Sequence, residues 1–354
     1  MKQVTHLILI TILITISSKN LSSKYLFEYP LIKEHPEEFI QTESNLPSNP
    51  DPQILIRTYG YFKAQQLSLE RIKKEYPELE VEVRKAEIEF NLSFKKAQER
   101  IISVLYSEVN RLYGDEFENR IPEIIDELKK MVYEQNLTKE IALTFIEEVK
   151  LRAKGNIESP ILETLLTYQF IDNPSKEFIE GFVKSYSTKG HLKAKGVTIN
   201  AKLPLSWSQR EGERPNVIQS FVNKNGNSDV MVLFMVKDLG LPNDYELTQE
   251  DINEFFIESE LKQYLPKRSE FISANKVVID NYTGAQLIFK ITQQRLDLSI
   301  TMQGIEYITI FNGKMIFLQC MVTESEGENL NDRFNLFLPL FRQIANSLVL
   351  MDQY

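Results

Sequence analysis

The sequence predicts an α+β protein, an N-terminal all-α helical region followed by an antiparallel β-sheet flanked by helices. Two observations predict it. Apolar residues recur at the helical spacing of three and four between residues 53 and 189. Between residues 195 and 354, short alternating patterns typical of strands are separated by turn residues and by two helical segments. A chain of 354 residues can bury two ordinary cores, so we expect two domains.

In the N-terminal region, the longest predicted helix starts after Pro77 and runs to Gly114. Shorter helices should follow, each with its own start signal, a proline in the first turn or a capping hydroxyl or amide. The distances between these starts differ, which argues against a solenoid of regular repeats. The start signals are Pro122, Thr138, Ser159-Pro160 and Asn173-Pro174.

In the C-terminal region, two tight turns indicate antiparallel pairing. Asn225-Gly226 and Asn312-Gly313 each lie between alternating apolar runs, and this dipeptide suits a hairpin turn whose two central residues need positive φ. Thr248 is expected to cap one helix, a second is predicted over Leu330–Ser347, and both should pack on the sheet. The predicted strands include Val217–Val222, Val230–Val236, Phe271–Ile279, Ala285–Ile291, Leu296–Phe311 and Lys314–Val322.

The first residues predict export. Residues 1–18 contain an apolar run of about ten residues followed by two serines, half of the ~20 residues that a membrane-spanning helix needs. We interpret them as a cleaved secretory signal peptide; an uncleaved N-terminal anchor is the alternative. Residues 19–52 contain several prolines and no sustained period, so they are expected to form an extended tether.

The amino-acid composition limits the partners, metal sites and reactions that we expect of this protein. A formal net charge of -9 disfavours nucleic acid as a partner. The single cysteine, Cys320, lies in a predicted strand, which indicates a buried thiol and excludes an internal disulfide. Once the signal is removed, the histidines are His35 and His191, too few for a zinc site of the usual kind. With no catalytic motif either, we expect no metal, no cofactor and no enzyme activity.

One short segment is a candidate interaction surface. Trp207, Arg210 and Arg214 lie close together in the sequence, and tryptophan and arginine are enriched at the centres of protein interfaces. A loop on a rigid scaffold is also where such a fold would bind. The alternative interpretation is that Trp207 fills one end of the sheet core and that the charged residues after it form an exposed loop.

Residues 195 to 350 also resemble a known fold. The motifs are Leu203-Pro204-Leu205-Ser206-Trp207, the helix from Thr248, Gly284-Ala285-Gln286-Leu287, the hairpin Tyr307–Met315 and Phe341–Leu348. In this order they are similar to the sandwich shared by the photosystem II extrinsic protein PsbP, the Ran-binding nuclear import factor of the Mog type, and the bacterial DcrB-like envelope proteins. The resemblance implies an antiparallel sheet between helices and a non-enzymatic role in docking to a larger partner. It implies nothing about the helical region.

Three functional hypotheses follow. The leading one is an exported, non-catalytic interaction or assembly protein of a bacterial cell envelope, periplasmic or secreted, whose partner is another envelope protein. The second is a binder of a small apolar ligand in a cleft between the sheet and its helices or between the two domains. The third is a carboxylate-dependent hydrolase, which needs two facing carboxylates.

Overall fold

The computed structural model describes residues 52–113, 116–157, 159, 161–223, 229–241, 247–266, 268–295, 298–324 and 329–351, with backbone alone for 52, 106–113, 116–121, 295 and 298. The expected signal peptide, the expected tether up to residue 51 and the Asn225-Gly226 turn lie outside the described residues. The chain divides into two compact units, which meet in sequence between Gln169 and Phe170.

The N-terminal unit is helical, as predicted. The long helix predicted from Pro77 is present: a 3-10 turn over Pro77–Leu79 leads directly into it. The prediction that Pro122 starts a helix was wrong, because it lies inside one that begins earlier, at Glu116. A proline removes one backbone donor and does not by itself set where a helix begins. The helices are α1 Pro52–Glu75, α2 Glu80–Tyr113, α3 Glu116–Glu134, α4 Lys139–Ala153 and α5 Leu162–Phe170.

The helical unit contains a buried polar contact between α1 and α4. Arg152 is 1% exposed and donates from a guanidinium nitrogen to the Oε1 atom of Gln65 over 2.5 Å. The same guanidinium lies over the ring of Tyr61, 5.2 Å from its centroid. Thr138 caps α4 as predicted, because its side chain accepts a hydrogen bond from the backbone nitrogen of Ile141.

The C-terminal unit is built on two antiparallel sheets. Its strands and helices run in the order α6 Ser175–Ile179, β1 Val183–Ser187, β2 Ile199–Pro204, β3 Ser208–Glu211, β4 Val217–Val222, β5 Val230–Asp238, α7 Gln249–Phe255, α8 Glu258–Tyr264, β6 Ser269–Ile279, β7 Tyr282–Arg295, β8 Leu298–Phe311, β9 Lys314–Thr323, α9 Leu330–Asn346 and β10 Val349–Leu350. The seven-stranded sheet has the order β3-β4-β5-β9-β8-β7-β6, and the three-stranded sheet the order β1-β2-β10.

Helices cover both faces of the larger sheet, which confirms the predicted fold class. On one face, α9 and β2 contribute Phe341, Ile344 and Leu203 to a core shared with β4, β5, β8 and β9. On the other face, α7 and α8 pack on β7, β8 and β9 through Phe256 and Leu261. We refer to the second side as the α7–α8 face.

The boundary between the two regions was predicted too late in the chain. Residues 183–187, assigned to the helical region, form β1, which pairs with β2 from Val183↔Pro204 to Ser187↔Asn200. This strand carries Lys184 and alternates serine with larger residues, so its sequence has little apolar signal. Its pairing with β2 is long-range and is therefore not visible in a local pattern.

The helix expected from Thr248 is two short helices. Thr248 and Asp251 form a capping box that fixes the start of α7. The helix stops at Phe255, and α8 begins at Glu258 after a turn in which Phe256 is buried and Ile257 is 46% exposed. The apolar spacing of the segment was predicted correctly, but the break in the helix at residues 256 and 257 was not predicted.

Candidate functional site

Trp207 lies inside the protein. Its side chain is 1% exposed and belongs to the core between α9 and the larger sheet. Its carbonyl oxygen accepts a hydrogen bond from the Nζ atom of Lys184 on β1. Of the three residues proposed as an interaction surface, Trp207 is therefore the one that holds the segment in place, and it presents almost no area to a partner.

A buried carboxylate fixes the residue before the tryptophan. Glu177 of α6 is 3% exposed and accepts hydrogen bonds from the backbone nitrogen of Ser206 over 2.8 Å and from its hydroxyl over 2.7 Å. Burial raises the pKa of Glu177 to about 7, while the bonds from Ser206 and the charge of Lys184 act in the opposite direction. The turn between β2 and β3 is thereby bonded to α6.

Arg210 and Arg214 follow at the edge of the sheet. Arg210 lies on β3, opposite Ser220 of β4, and its side chain is partly exposed. Arg214 is exposed in the turn before β4. Because β3 is an end strand of the seven-stranded order, no described strand pairs with its outer side. The two arginines thus lie where an edge strand meets solvent, a position that binding partners commonly use.

A neighbouring loop presents one leucine fully to solvent. Leu192 is 94% exposed, in a 3-10 turn over Leu192–Ala194. The turn is fixed at both ends, since the Oγ1 atom of Thr188 donates to the carbonyl of Val197 over 2.9 Å and accepts from the backbone nitrogen of Ile199 over 2.8 Å. Ala194, the last residue of the turn, is buried in the core. Leu192 was not predicted as a candidate residue, because a sequence alone does not distinguish an exposed leucine from a core leucine.

Ion pairs join this loop to β3. Glu211 of β3 contacts the Nε2 atom of His191 at 3.1 Å and the Nζ atom of Lys193 at 3.4 Å. These contacts, with the hydrogen bond from His191 first, lower the pKa of the Glu211 carboxyl. Lys193 also donates to the carbonyl oxygen of Gly212. We call the surface formed by Leu192, Lys193, Arg210, Glu211 and Arg214 the β3-edge surface.

A second polar site lies on the α7–α8 face. Glu306 of β8 is 2% exposed, and its Oε1 atom accepts a hydrogen bond from the Nε2 atom of Gln319 on β9 over 3.2 Å. Its Oε2 atom is buried and has no hydrogen-bond partner among the described residues. Burial raises the pKa of Glu306 to about 8, against the weaker opposing effect of Gln319.

The chemistry of the other candidate groups is limited. Cys320 is fully buried, and burial together with the nearby Glu306 carboxyl raises the pKa of its thiol, which leaves it a poor nucleophile. The two buried carboxyl groups, Glu177 and Glu306, are each bonded to a neutral side chain.

Within the described ranges, no group of three or more His, Cys, Asp or Glu residues could hold a metal ion. No helix in the described part of the chain is long and apolar enough to cross a membrane.

The C-terminal unit is thus an α+β sandwich, with one long helix on one face of an antiparallel sheet and a helix pair on the other. No protein-family model matches the sequence, and no curated protein matches it. Among solved structures, cyanobacterial PsbP (CyanoP) from Synechocystis sp. PCC 6803 matches with 18% identity and a TM-score of 0.31, over 48% of this chain and 92% of that one.

Two further structures match a similar share of the chain. The Ran-binding protein Mog1p of Saccharomyces cerevisiae has 11% identity and a TM-score of 0.33, over 48% of this chain and 96% of that one. PA94 of Pseudomonas aeruginosa, a protein of unknown function described as a putative regulator, has 10% identity and a TM-score of 0.23, over 48% and 97%. PsbP and the Mog-type import factor are two of the three groups that the sequence resemblance names. TM-scores of this size carry no function from one protein to another.

Proposed function

We propose that this protein is a non-catalytic interaction protein of a cell envelope, exported by its N-terminal segment, and that the C-terminal sandwich binds a protein partner through the β3-edge surface. The observation that carries the proposal is the 94% exposure of Leu192 on a loop whose two ends are bonded into the core. A loop whose backbone is already held in place loses little conformational entropy when a partner covers the apolar side chain that it presents.

The charges around Leu192 support a partner with an acidic contact patch. Lys193, Arg210 and Arg214 contribute three positive charges at the β3-edge surface, against two negative charges, from Glu211 and from the exposed Glu213 next to Arg214. Complementary charges at the rim of an interface raise the association rate and orient the partner, while the apolar residue provides contact area. This pattern fits an apolar anchor surrounded by basic residues, although the whole chain is acidic.

The test uses a photo-crosslinking amino acid placed at position 192 of the full chain in its native host. A discrete protein adduct is expected from position 192. The adduct should be lost when Arg210→Glu and Arg214→Glu are added, since these changes reverse two charges without altering the buried Trp207. Val278 is the matched control position: it is 74% exposed and lies on β6, the strand at the opposite end of the seven-stranded sheet.

Two results would contradict the proposal. One is the absence of an adduct at position 192; the other is the same adduct from positions 192 and 278, which would mean nonspecific collision. Export is tested separately by determining the N-terminal residue of the protein recovered from the envelope fraction. A mature chain that begins near residue 19 supports cleavage of the signal, and a chain that keeps residues 1–18 supports the anchor alternative.

A further inference from the structure

The α7–α8 face of the sheet is rich in methionine. Met231 and Met235 lie on β5, Met302 on β8, and Met315 and Met321 on β9, and all five side chains are buried or half-buried. They account for five of the eight methionines in the chain. Methionine is flexible and polarisable, and surfaces rich in it adapt to apolar ligands of different shapes.

Part of this face lies beyond the two covering helices. One apolar cluster contains Met302 and Met321 from the sheet, and Leu265, directly after α8, is the one residue that the described part of the covering layer contributes to it. We call the outer part of this cluster the methionine patch; it consists of Met231, Leu233, Ile300, Met302 and Met321. Met231, Leu233 and Ile300 are only half-buried, so the patch reaches solvent at its rim.

The buried acid lies in the row next to this patch. Strand pairing places Leu233 opposite Gln319 and Gln319 opposite Glu306, in one row across β5, β9 and β8. The adjacent row on the same face contains Met231, Met321 and Gly304. Neighbouring rows are about 7 Å apart along a strand, so Glu306 lies within the length of an elongated molecule on the patch. Because Glu306 is 2% exposed, one end of that molecule must extend between buried side chains to reach it.

The carboxyl group of Glu306 has one oxygen without a partner at this position. A buried polar atom left without a hydrogen bond destabilises the folded state, so such atoms are rare unless a water or a ligand satisfies them. Because its pKa is raised to about 8, the group carries a proton at neutral pH and can donate a hydrogen bond. Its complement is therefore an acceptor atom.

We propose that the methionine patch and Glu306 together form a binding site for an uncharged, elongated apolar molecule with a hydrogen-bond acceptor such as a carbonyl oxygen at one end. The apolar part lies against Met231, Leu233 and Met321, and the acceptor atom accepts a hydrogen bond from the protonated Glu306 carboxyl group. This site does not depend on the protein–protein interaction proposed above, since the patch lies on the central strands β5, β9 and β8 and the β3-edge surface lies at one edge of the sheet, two strands from β5.

No other group near Glu306 should titrate in its place. The Cys320 thiol, on the neighbouring strand, has a pKa raised well above its ordinary value and stays neutral. On α8, Lys262 and Glu258 form an ion pair with each other at 2.6 Å. The side chains opposite Glu306 on both neighbouring strands are neutral, Gln319 on β9 and Leu287 on β7.

The test is a fluorescence titration of the full chain with Nile red, a neutral dye with a carbonyl acceptor. Saturable binding of one dye per chain is expected at pH 6.5, with the affinity falling at least about tenfold by pH 9.5 as Glu306 loses its proton. Glu306→Gln keeps a donor that does not titrate, so at every pH it should bind within about threefold of the affinity that the unchanged protein has at pH 6.5. Glu306→Leu removes the donor and should bind about tenfold more weakly at pH 6.5.

A second variant and its control test the methionine patch, the apolar part of the proposed site. Leu233→Gln alters a half-buried residue of the patch and should abolish saturable binding, while Val278→Gln on β6 should leave it unchanged; circular dichroism verifies that both are folded. The proposal is overturned by the absence of saturable binding, by pH-independent binding to the unchanged protein, or by Leu233→Gln binding as well as Val278→Gln. If a buried water molecule already forms the missing hydrogen bond of Glu306, the dye titration gives no saturable binding.

Discussion

Glu306 and Gln319 face each other directly across β8 and β9, and the amide of Gln319 donates to the carboxyl group of Glu306 over 3.2 Å. The pair lies at the centre of the seven-stranded sheet, where both neighbouring strands are themselves paired. One neutral hydrogen bond is weak compensation for burying a carboxylate, so the protein keeps the group protonated. Because Glu306 is protonated only in the folded state over part of the pH range, the stability of the C-terminal unit depends on pH.

The first prediction is that the C-terminal unit loses stability as pH rises. Burial raises the pKa of Glu306 from 4.5 to about 8, so between these values the unfolded chain is ionised while the folded one keeps its proton. The folded state binds more protons, and the free energy of unfolding should fall by up to about 1.4 kcal/mol per pH unit across this window, then level off above pH 8. Urea denaturation at several pH values, followed by the fluorescence of Trp207, measures it.

Glu306→Gln is the control for this prediction, because the amide does not titrate. It should remove the loss of stability between pH 7 and pH 8. A smaller loss should remain below pH 7, since the pKa of Glu177 is also raised, to about 7. Equal pH profiles for Glu306→Gln and the unchanged protein would show that Glu306 does not hold its proton in the folded state.

The second prediction concerns the bond between Ser206 and Glu177. Ser206→Ala removes the hydroxyl that donates to the Oε2 atom of Glu177 over 2.7 Å, while the backbone bond at 2.8 Å remains. Loss of one hydrogen bond to a buried acidic group should lower the free energy of unfolding by about 1–3 kcal/mol. It should also raise the pKa of Glu177 further, since one of the effects that lower it is gone.

Ser220→Ala provides the comparison in the same unit. Its hydroxyl donates to the carbonyl of Arg210 over a longer 3.3 Å and to no charged group, so its removal should cost at most about 1 kcal/mol. Both are measured by urea denaturation. If Ser206→Ala costs no more than Ser220→Ala, the buried contact between α6 and the turn before β3 contributes little to stability.

Local patterns were sufficient to predict most of the sheet. Val217–Val222 forms β4 with the predicted ends, and α9 covers most of its predicted range. These segments have a clear apolar period that packing then uses. By contrast, β1, β3 and β10 are short, and their sequences alternate only weakly between apolar and polar residues. Long-range pairing with β2 or β4 stabilises these strands more than local preference does, so a local pattern does not predict them.

The candidate site was predicted only in part. The segment from Trp207 to Arg214 was selected from residue types, and Arg210 and Arg214 do lie at the surface while Trp207 does not. Leu192 and Glu306 were missed for different reasons. A fully exposed leucine cannot be distinguished from a core leucine in a sequence, and a glutamate in a strand looks solvent-facing until strand order shows that it lies inside.

The third prediction compares two hairpin turns. Asn312-Gly313 joins β8 to β9 with φ of 50° and 66°, and Asp280-Asn281 joins β6 to β7 with φ of 45° and 70°. The first was predicted and the second was missed, because it contains no glycine. Both turns need positive φ at two residues, which glycine adopts at the lowest cost.

Opposite changes in stability are therefore expected at the two turns. Gly313→Ala should lower the free energy of unfolding by about 1 kcal/mol through backbone strain alone, since nothing lies within 4 Å of the added Cβ atom. Asn281→Gly should raise it by several tenths of a kcal/mol, because Asn281 is exposed and already has φ of 70°. Chemical denaturation of both variants gives the sign of each change in the free energy of unfolding. Two changes of the same sign would contradict the prediction.

The fourth prediction is that residues 170–354 fold alone, whereas residues 195–354 do not. The shorter fragment lacks α6 with Glu177, and it lacks β1, whose Tyr186 packs against Phe221 at 5.0 Å and Phe234 at 4.9 Å between ring centroids. It would leave β2 with only the two-residue strand β10 as a partner and would uncover a central part of the core.

Urea denaturation followed by tryptophan fluorescence distinguishes the two fragments, since Trp207 is the one tryptophan in the chain and lies in this core. Residues 170–354 should unfold in one cooperative transition, and residues 195–354 should show none. Tyr186→Phe within the longer fragment keeps the ring and removes a buried hydroxyl that has no partner among the described residues, so it should be neutral or stabilising. A cooperative transition of equal midpoint in the shorter fragment would show that β1 and α6 are dispensable and that the unit begins near residue 195.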